Sequence, residues 1–115
     1  MRLDEERLED ILEAIDNIKR HLPETWEAFD RNELVRVWCL RHIEIIGEAA
    51  AKLSQEARDQ APDVPWKPII GMRNTLIHAY FDVNWWRVWE VVAKELQPLE
   101  AGVRRLLGKL KGEKA

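Results

Sequence analysis

Apolar residues recur at Leu8, Ile11, Leu12, Ile15, Ile18 and Leu22, three and four apart, with charged residues between them. That period predicts an amphipathic helix from about Asp4 to His21, stopped by Pro23. A short turn or helical piece follows, with Trp26 and Phe29 as candidate core anchors. Asp30 or Asn32 can then cap a long second helix, expected to end near Arg58. At about 100° per residue, Leu34, Val35, Trp38, Cys39, His42, Ile43, Ile45, Ile46, Ala49, Ala50 and Leu53 cover about half of its circumference. One neighbouring helix needs less, so this helix is expected to be central in a bundle or shared with a second subunit. Its polar side carries Arg41, Glu44 and Glu48. Arg41 and Glu44 are three apart and can pair; Glu44 and Glu48 are four apart and repel mildly unless a cation from elsewhere joins them.

Pro62 and Pro65 mark a linker from Ala61 to Lys67, with Asp63 a candidate cap and Pro65 suited to the first turn of the next helix. That helix is expected from about Trp66 to Ala79. Asp82 or Asn84 caps the last helix, whose stripe is Trp85, Val88, Trp89, Val92, Leu96, Leu99, Val103, Leu106 and Leu110. Pro98 should kink or split it near Gln97. The fold class is therefore all-α, an up-and-down bundle of four to five helices. Residues 1–110 are expected to form a single helical domain, and 111–115 a polar tail that frays.

Composition narrows this picture. A chain of 115 residues with 46% hydrophobic content has the size of one domain and enough apolar material for a core. The single Cys39 has no internal disulfide partner and sits in an apolar run, so a buried, inert thiol is expected. No signal-peptide pattern opens the chain, and no apolar run approaches the roughly 20 residues of a membrane span. The expected protein is soluble and cytoplasmic, with no membrane association. Its net charge of −3 gives no global attraction to nucleic acid, so any RNA or DNA binding needs a local basic patch. Six tryptophans point to a heavily packed core or an aromatic contact surface.

One stretch breaks the apolar pattern: GMRNTLIHAYF, Gly71 to Phe81. On a straight helix Arg73 and Tyr80 lie about 20° apart, two turns from each other, and Asn74 and His78 share a stripe, whereas Arg73 and His78 are about 140° apart. Either the long Arg73 side chain swings towards His78, or two copies of the helix face each other across a dimer axis. Taken singly, His78 reads as a hydrogen-bonded core residue, Arg73 as an ion-pair partner of Glu44 or Glu48, and Tyr80 as a helix-end anchor. Taken together they carry chemistry. His78 titrates near neutrality and can act as general acid or base. Arg73 can neutralise a phosphoryl group with a planar fork of donors, and Asn74 can orient the phosphate or the imidazole. These roles suit metal-free cleavage of an RNA backbone by the 2′-hydroxyl. His21, His42 and His78 lack paired metal-ligand spacing, Glu44 and Glu48 could hold Mg²⁺ only with help, and no glycine-rich phosphate loop or serine nucleophile motif is present. No metal or cofactor is expected.

The segment Arg73-Asn74-Thr75-Leu76-Ile77-His78-Ala79-Tyr80 matches the Arg, four residues, His, one residue, Tyr motif of the HepT-like toxins of the HEPN superfamily. Pro65-Trp66 and Ile69-Ile70-Gly71-Met72 before it, Phe81-Asp82-Val83 after it, and Ile43-Glu44-Ile45-Ile46-Gly47-Glu48-Ala49-Ala50 upstream resemble the family as well, from about Leu3 to Leu107. The resemblance implies an all-α homodimer with its cleft at the dimer interface. It implies a metal-independent endoribonuclease toxin in which Arg73 and His78 act on the scissile phosphate, with Asn74 supporting them. It also implies an MntA-like nucleotidyltransferase antitoxin that transfers AMP from ATP onto Tyr80, adding charge and bulk beside the cleft. The alternative is a non-catalytic HEPN module that docks such a nucleotidyltransferase, and a third reading is a structural dimer with a packed polar helix.

Overall fold

The computed structural model describes residues 3–79 and 82–114. Helix α1 spans Asp4–His21, with Asp4, Glu5 and Glu6 in its first turn and Lys19, Arg20 and His21 in its last. Both ends thus complement the helix dipole. Its stripe of Leu8, Ile11, Leu12, Ile15 and Ile18 is buried. Leu22, held extended as a residue before proline prefers, ends it. Helix α2, Trp26–Arg31, is capped by the Thr25 side chain and sinks Phe29 completely into the core.

Helix α3, Glu33–Ala51, is capped by Asn32, whose side-chain oxygen accepts from the Val35 N–H. It packs against α1 on one flank and against the elements that follow it on the other, which makes it the central helix. It stops well short of Arg58. The Lys52 and Leu53 N–H groups close three-residue turns onto the Ala49 and Ala50 carbonyls. Ser54 is extended and caps a separate helix α4, Gln55–Asp59. Asp4, at the head of α1, accepts from both the Ser54 N–H (2.9 Å) and its hydroxyl (2.7 Å). A competing cap and a bond from 50 residues away together end α3.

Helix α5, Trp66–Ile70, starts after Pro65 without a side-chain cap; Asp63 instead pairs with Arg105. Gly71 separates it from α6, Met72–Leu76. The chain then leaves helical geometry. Strand β1, Ile77–Ala79, pairs antiparallel with β2, Asp82–Val83, with Ile77 opposite Val83 and Ala79 opposite Asp82. The expected helix through Ala79 is thus corrected to two short helices and a strand. The Leu76 carbonyl is taken by the Asn84 N–H at 2.8 Å, and the β-branched Ile77 and Val83 suit the paired conformation.

Asn84 caps α7, Trp85–Glu90, by accepting from the Arg87 N–H. A π-helical turn, Val91–Glu95, joins α7 to α8, Leu96–Lys114. The split expected near Gln97 thus falls between Glu95 and Leu96, where the π turn gives way to α8. A proline ring excludes an α-helical carbonyl four residues back and supplies no N–H. The π turn makes Pro98 a first-turn residue of α8, where both defects are tolerated. Val88, Val91, Val103 and Leu106 close the core over α1 and α3. The described residues form an all-α bundle with one small hairpin, and none of their helices is long and apolar enough to cross a membrane.

Candidate active site

The site begins with a glycine. A Cβ built on Gly47 of α3 would lie 3.2 Å from the Ile69 carbonyl oxygen, so the missing side chain is what lets α5 approach α3 so closely. The close crossing carries α6 over the polar side of α3. There Arg73 Nε lies 3.5 Å from Glu44 Oε2. The Glu44 side chain is 23% exposed and that of Arg73 65%, so the carboxylate is a half-sunk anchor and the guanidinium sits at the surface. A carboxylate on the Nε edge leaves the two terminal nitrogens of the fork for another anion.

Of the two partners open to Arg73, the structure selects Glu44. The expected Arg41–Glu44 pair gives way to Arg41–Glu48, at 3.7 Å across two helical turns. Each carboxylate on this face thereby has its own arginine, which relieves the repulsion between Glu44 and Glu48. Asn74 is exposed, its N–H bonds the Gly71 carbonyl at 3.0 Å, and its side chain makes no hydrogen bond among the described residues. His78 lies in β1, two residues beyond the end of α6. The straight-helix separation of Arg73 and His78 therefore does not apply: the bend from α6 into β1 sets their relation. Tyr80 lies outside the described residues.

His42 is a structural histidine, 7% exposed. Its Nδ1–H donates to the Trp38 carbonyl at 2.8 Å, and its Nε2 stands 3.3 Å from the Asn17 amide nitrogen, which donates to it. The Trp38 indole N–H donates to the Asn17 carbonyl at 2.8 Å, and the His42 and Trp38 rings pack 4.2 Å apart. Among the described residues no three histidine, cysteine or carboxylate side chains gather as a metal site. Sequence reasoning did not single out Gly47 as a crossing point; a lone glycine amid the buried and charged positions of α3 was the available signal.

The family model described as Ribonuclease HepT-like matches residues 11–106, from the middle of α1 well into α8. The chain belongs to the HepT-like ribonuclease family. It is 42% identical over 87 residues to a protein of Caldanaerobacter subterraneus subsp. tengcongensis provisionally named an RNase, covering 76% of this chain and 78% of that one. A second provisionally named RNase, of Methanocaldococcus jannaschii, is 33% identical over 97 residues, 84% of this chain and 89% of the relative. A protein of Thermococcus cleftensis named "Probable ribonuclease HepT" is 34% identical over 100 residues, 86% of this chain and 91% of the relative. No solved structure gave a significant match. The HepT-like match takes in α3, α5, α6 and the hairpin, so the Glu44–Arg73 pair and the whole RNTLIHAY segment lie inside it.

Proposed function

We propose that this HepT-like chain is the toxin of a toxin–antitoxin pair, a metal-independent endoribonuclease that cuts RNA with Arg73 and His78. The observation that carries the reading is the surface-held Arg73 guanidinium, anchored by Glu44 immediately before the strand that bears His78. In the proposed reaction His78 takes the proton of a 2′-hydroxyl. The freed oxygen attacks the adjacent phosphorus, and the bond to the 5′-oxygen breaks. That oxygen leaves with a proton from a general acid, giving a cyclic 2′,3′-phosphate and a 5′-hydroxyl. Arg73 offsets the charge that develops on the phosphoryl oxygens, and Asn74 steadies the phosphate.

The reading includes a homodimer with the cleft between its copies. Support comes from α3, where Leu34, Val37 and Trp38 are 83%, 52% and 37% exposed and share a face with Arg41 and Glu48. A solvent-facing apolar stripe beside the candidate site suits a second copy. Neutralisation is assigned to a nucleotidyltransferase antitoxin. It would join the Tyr80 phenol oxygen to the α-phosphorus of ATP, releasing pyrophosphate and the phenol proton. The added negative group would repel an RNA phosphate.

The test is RNA cleavage by the purified protein beside His78→Ala and Arg73→Ala. Wild-type cleavage with a loss of 100-fold or more in both variants (roughly the scale of removing one acid–base or charge-stabilising group) is expected. Equal cleavage by all three overturns the assignment, and no cleavage by any leaves the docking module. Intact mass after incubation with the nucleotidyltransferase and ATP should rise by AMP units and stay unchanged in Tyr80→Phe. A gain that persists in that variant removes Tyr80 as sole acceptor.

A further inference from the structure

An RNA-cutting protein with a net charge of −3 must attract its substrate locally. Five of the eleven arginines cannot contribute a free charge: Arg36, Arg41, Arg87, Arg104 and Arg105 are each paired with a carboxylate. Arg58 and Lys67 differ. Neither is ion-paired among the described residues, and both line the same open groove of about 570 Å³ between α4 and α5. Arg58 Nε itself is buried without a hydrogen-bond partner, an orphaned donor of a kind that native structures rarely leave. The groove also holds Asp59, whose carboxylate accepts from Gln55 Nε2 at 2.7 Å, so its side chains sum to one positive charge. Trp66 and Ile70 form its apolar wall.

The wall of the groove leads in sequence straight into the candidate active site. Ile70 ends α5 and stands three residues before Arg73, with only Gly71 between the two helices. Lys67 and Arg73 are six residues apart, about 9 Å along a helical path. That span lies within the reach of a few nucleotides. A cationic groove with an apolar wall is the usual way to track a single strand without reading its bases.

We propose that Arg58 and Lys67 form a phosphate subsite that holds the single-stranded RNA backbone beside the scissile phosphate. The proposal rests on the ribonuclease reading and deepens it. The subsite contributes to binding and not to the chemical step. It gives the enzyme a preference for strands long enough to reach from Arg73 into the groove, whatever their base sequence.

The experiment uses full-length His78→Ala protein, which binds without cutting, and a fluorescent single-stranded RNA titrated over a range of salt concentrations. Arg58→Gln with Lys67→Gln should weaken binding about tenfold and flatten the log–log salt slope by about 1.4, the value for two lost single-strand phosphate contacts. Lys67→Gln alone, an exposed change that spares the Arg58 stem, should give about half that change in slope. Arg20→Gln with Lys109→Gln, an equal charge change on exposed residues outside the groove, should leave both readouts unchanged. In the cutting enzyme the groove variants should raise KM for long RNA and leave kcat, and the cleavage of a dinucleotide, unaltered. Equal losses in the groove and control variants overturn the subsite, as does an unchanged salt slope in the groove variants. Either result leaves the ribonuclease reading standing, which falls only if wild type does not cleave RNA or cleaves it independently of His78.

Discussion

Arg73 and Cys39 show how differently two reactive residue types are treated in one small chain. Arg73 keeps its charge at the surface because Glu44, more deeply set, fixes one edge of the guanidinium. A rotating arginine would lose conformational freedom on meeting a phosphate; one already held loses less. Cys39 is fully buried on the core side of α3. Burial without compensating charge disfavours the thiolate and pushes the thiol up to about 12. The folded thiol therefore stays protonated through neutral pH, while an unfolded cysteine ionises near 8.5. Native protein at pH 8 should resist iodoacetamide for hours and take up one carbamidomethyl group within minutes in denaturant, read by intact mass. Rapid native labelling would show that the α1–α3 core opens far more readily than its packing implies. The inert thiol was legible from its apolar neighbours. The choice of Glu44 over Glu48 was not, because both lie on one polar face and Gly47, which sets where α6 crosses, acts only through a second helix.

At the scale of elements, local signals were read well wherever they were sufficient. The bounds of α1 follow from its stripe and Pro23, and Asn32 and Asn84 cap the helices expected of them. Three boundaries were missed, the end of α3, the break at Gly71 and the end of α6, and a long-range partner acts at the first. The α3 helix yields at Lys52 because Ser54 finds Asp4, 50 residues away at the head of α1. The motif helix yields at Ile77 because Asn84 reaches back to the Leu76 carbonyl. Either stretch in isolation has helical periodicity, but a hydrogen bond to a group outside the helix outweighs a weak propensity. The split expected near Gln97 falls where the π turn Val91–Glu95 meets α8 at Leu96. The helix answers Pro98 by changing its hydrogen-bond register upstream, which lets α7 and α8 share one core face.

At the scale of the molecule the unpartnered feature is the outer face of α3. The width of its apolar arc anticipated a central helix or a shared one. The structure shows the first: α1 covers one flank and α5, α6 and α7 the other. Leu34, Val37 and Trp38 nevertheless stay in solvent, which supports the proposed dimer as well. Light scattering of the purified protein should give twice the chain mass, and Leu34→Glu with Val37→Glu should return it to the monomer and lower RNA cleavage with it. Both residues are exposed, so the monomer fold should survive, as circular dichroism would show. A variant that remains dimeric removes this face as the interface. By itself the sequence determined the helical class, the span of α1, cap candidates at Asp30 or Asn32 and at Asp82 or Asn84, and a motif whose side chains have no role in a simple core. Those are properties of spacing and residue type, which act over one or two turns. Only the tertiary structure decided where α3 ends, which carboxylate anchors Arg73, and that a bend separates Arg73 from His78. It also decided that Arg58 and Lys67 line one groove. The first two depend on groups brought together from distant parts of the chain, and packing alone supplies that meeting; the bend depends on Asn84 folding back onto the Leu76 carbonyl.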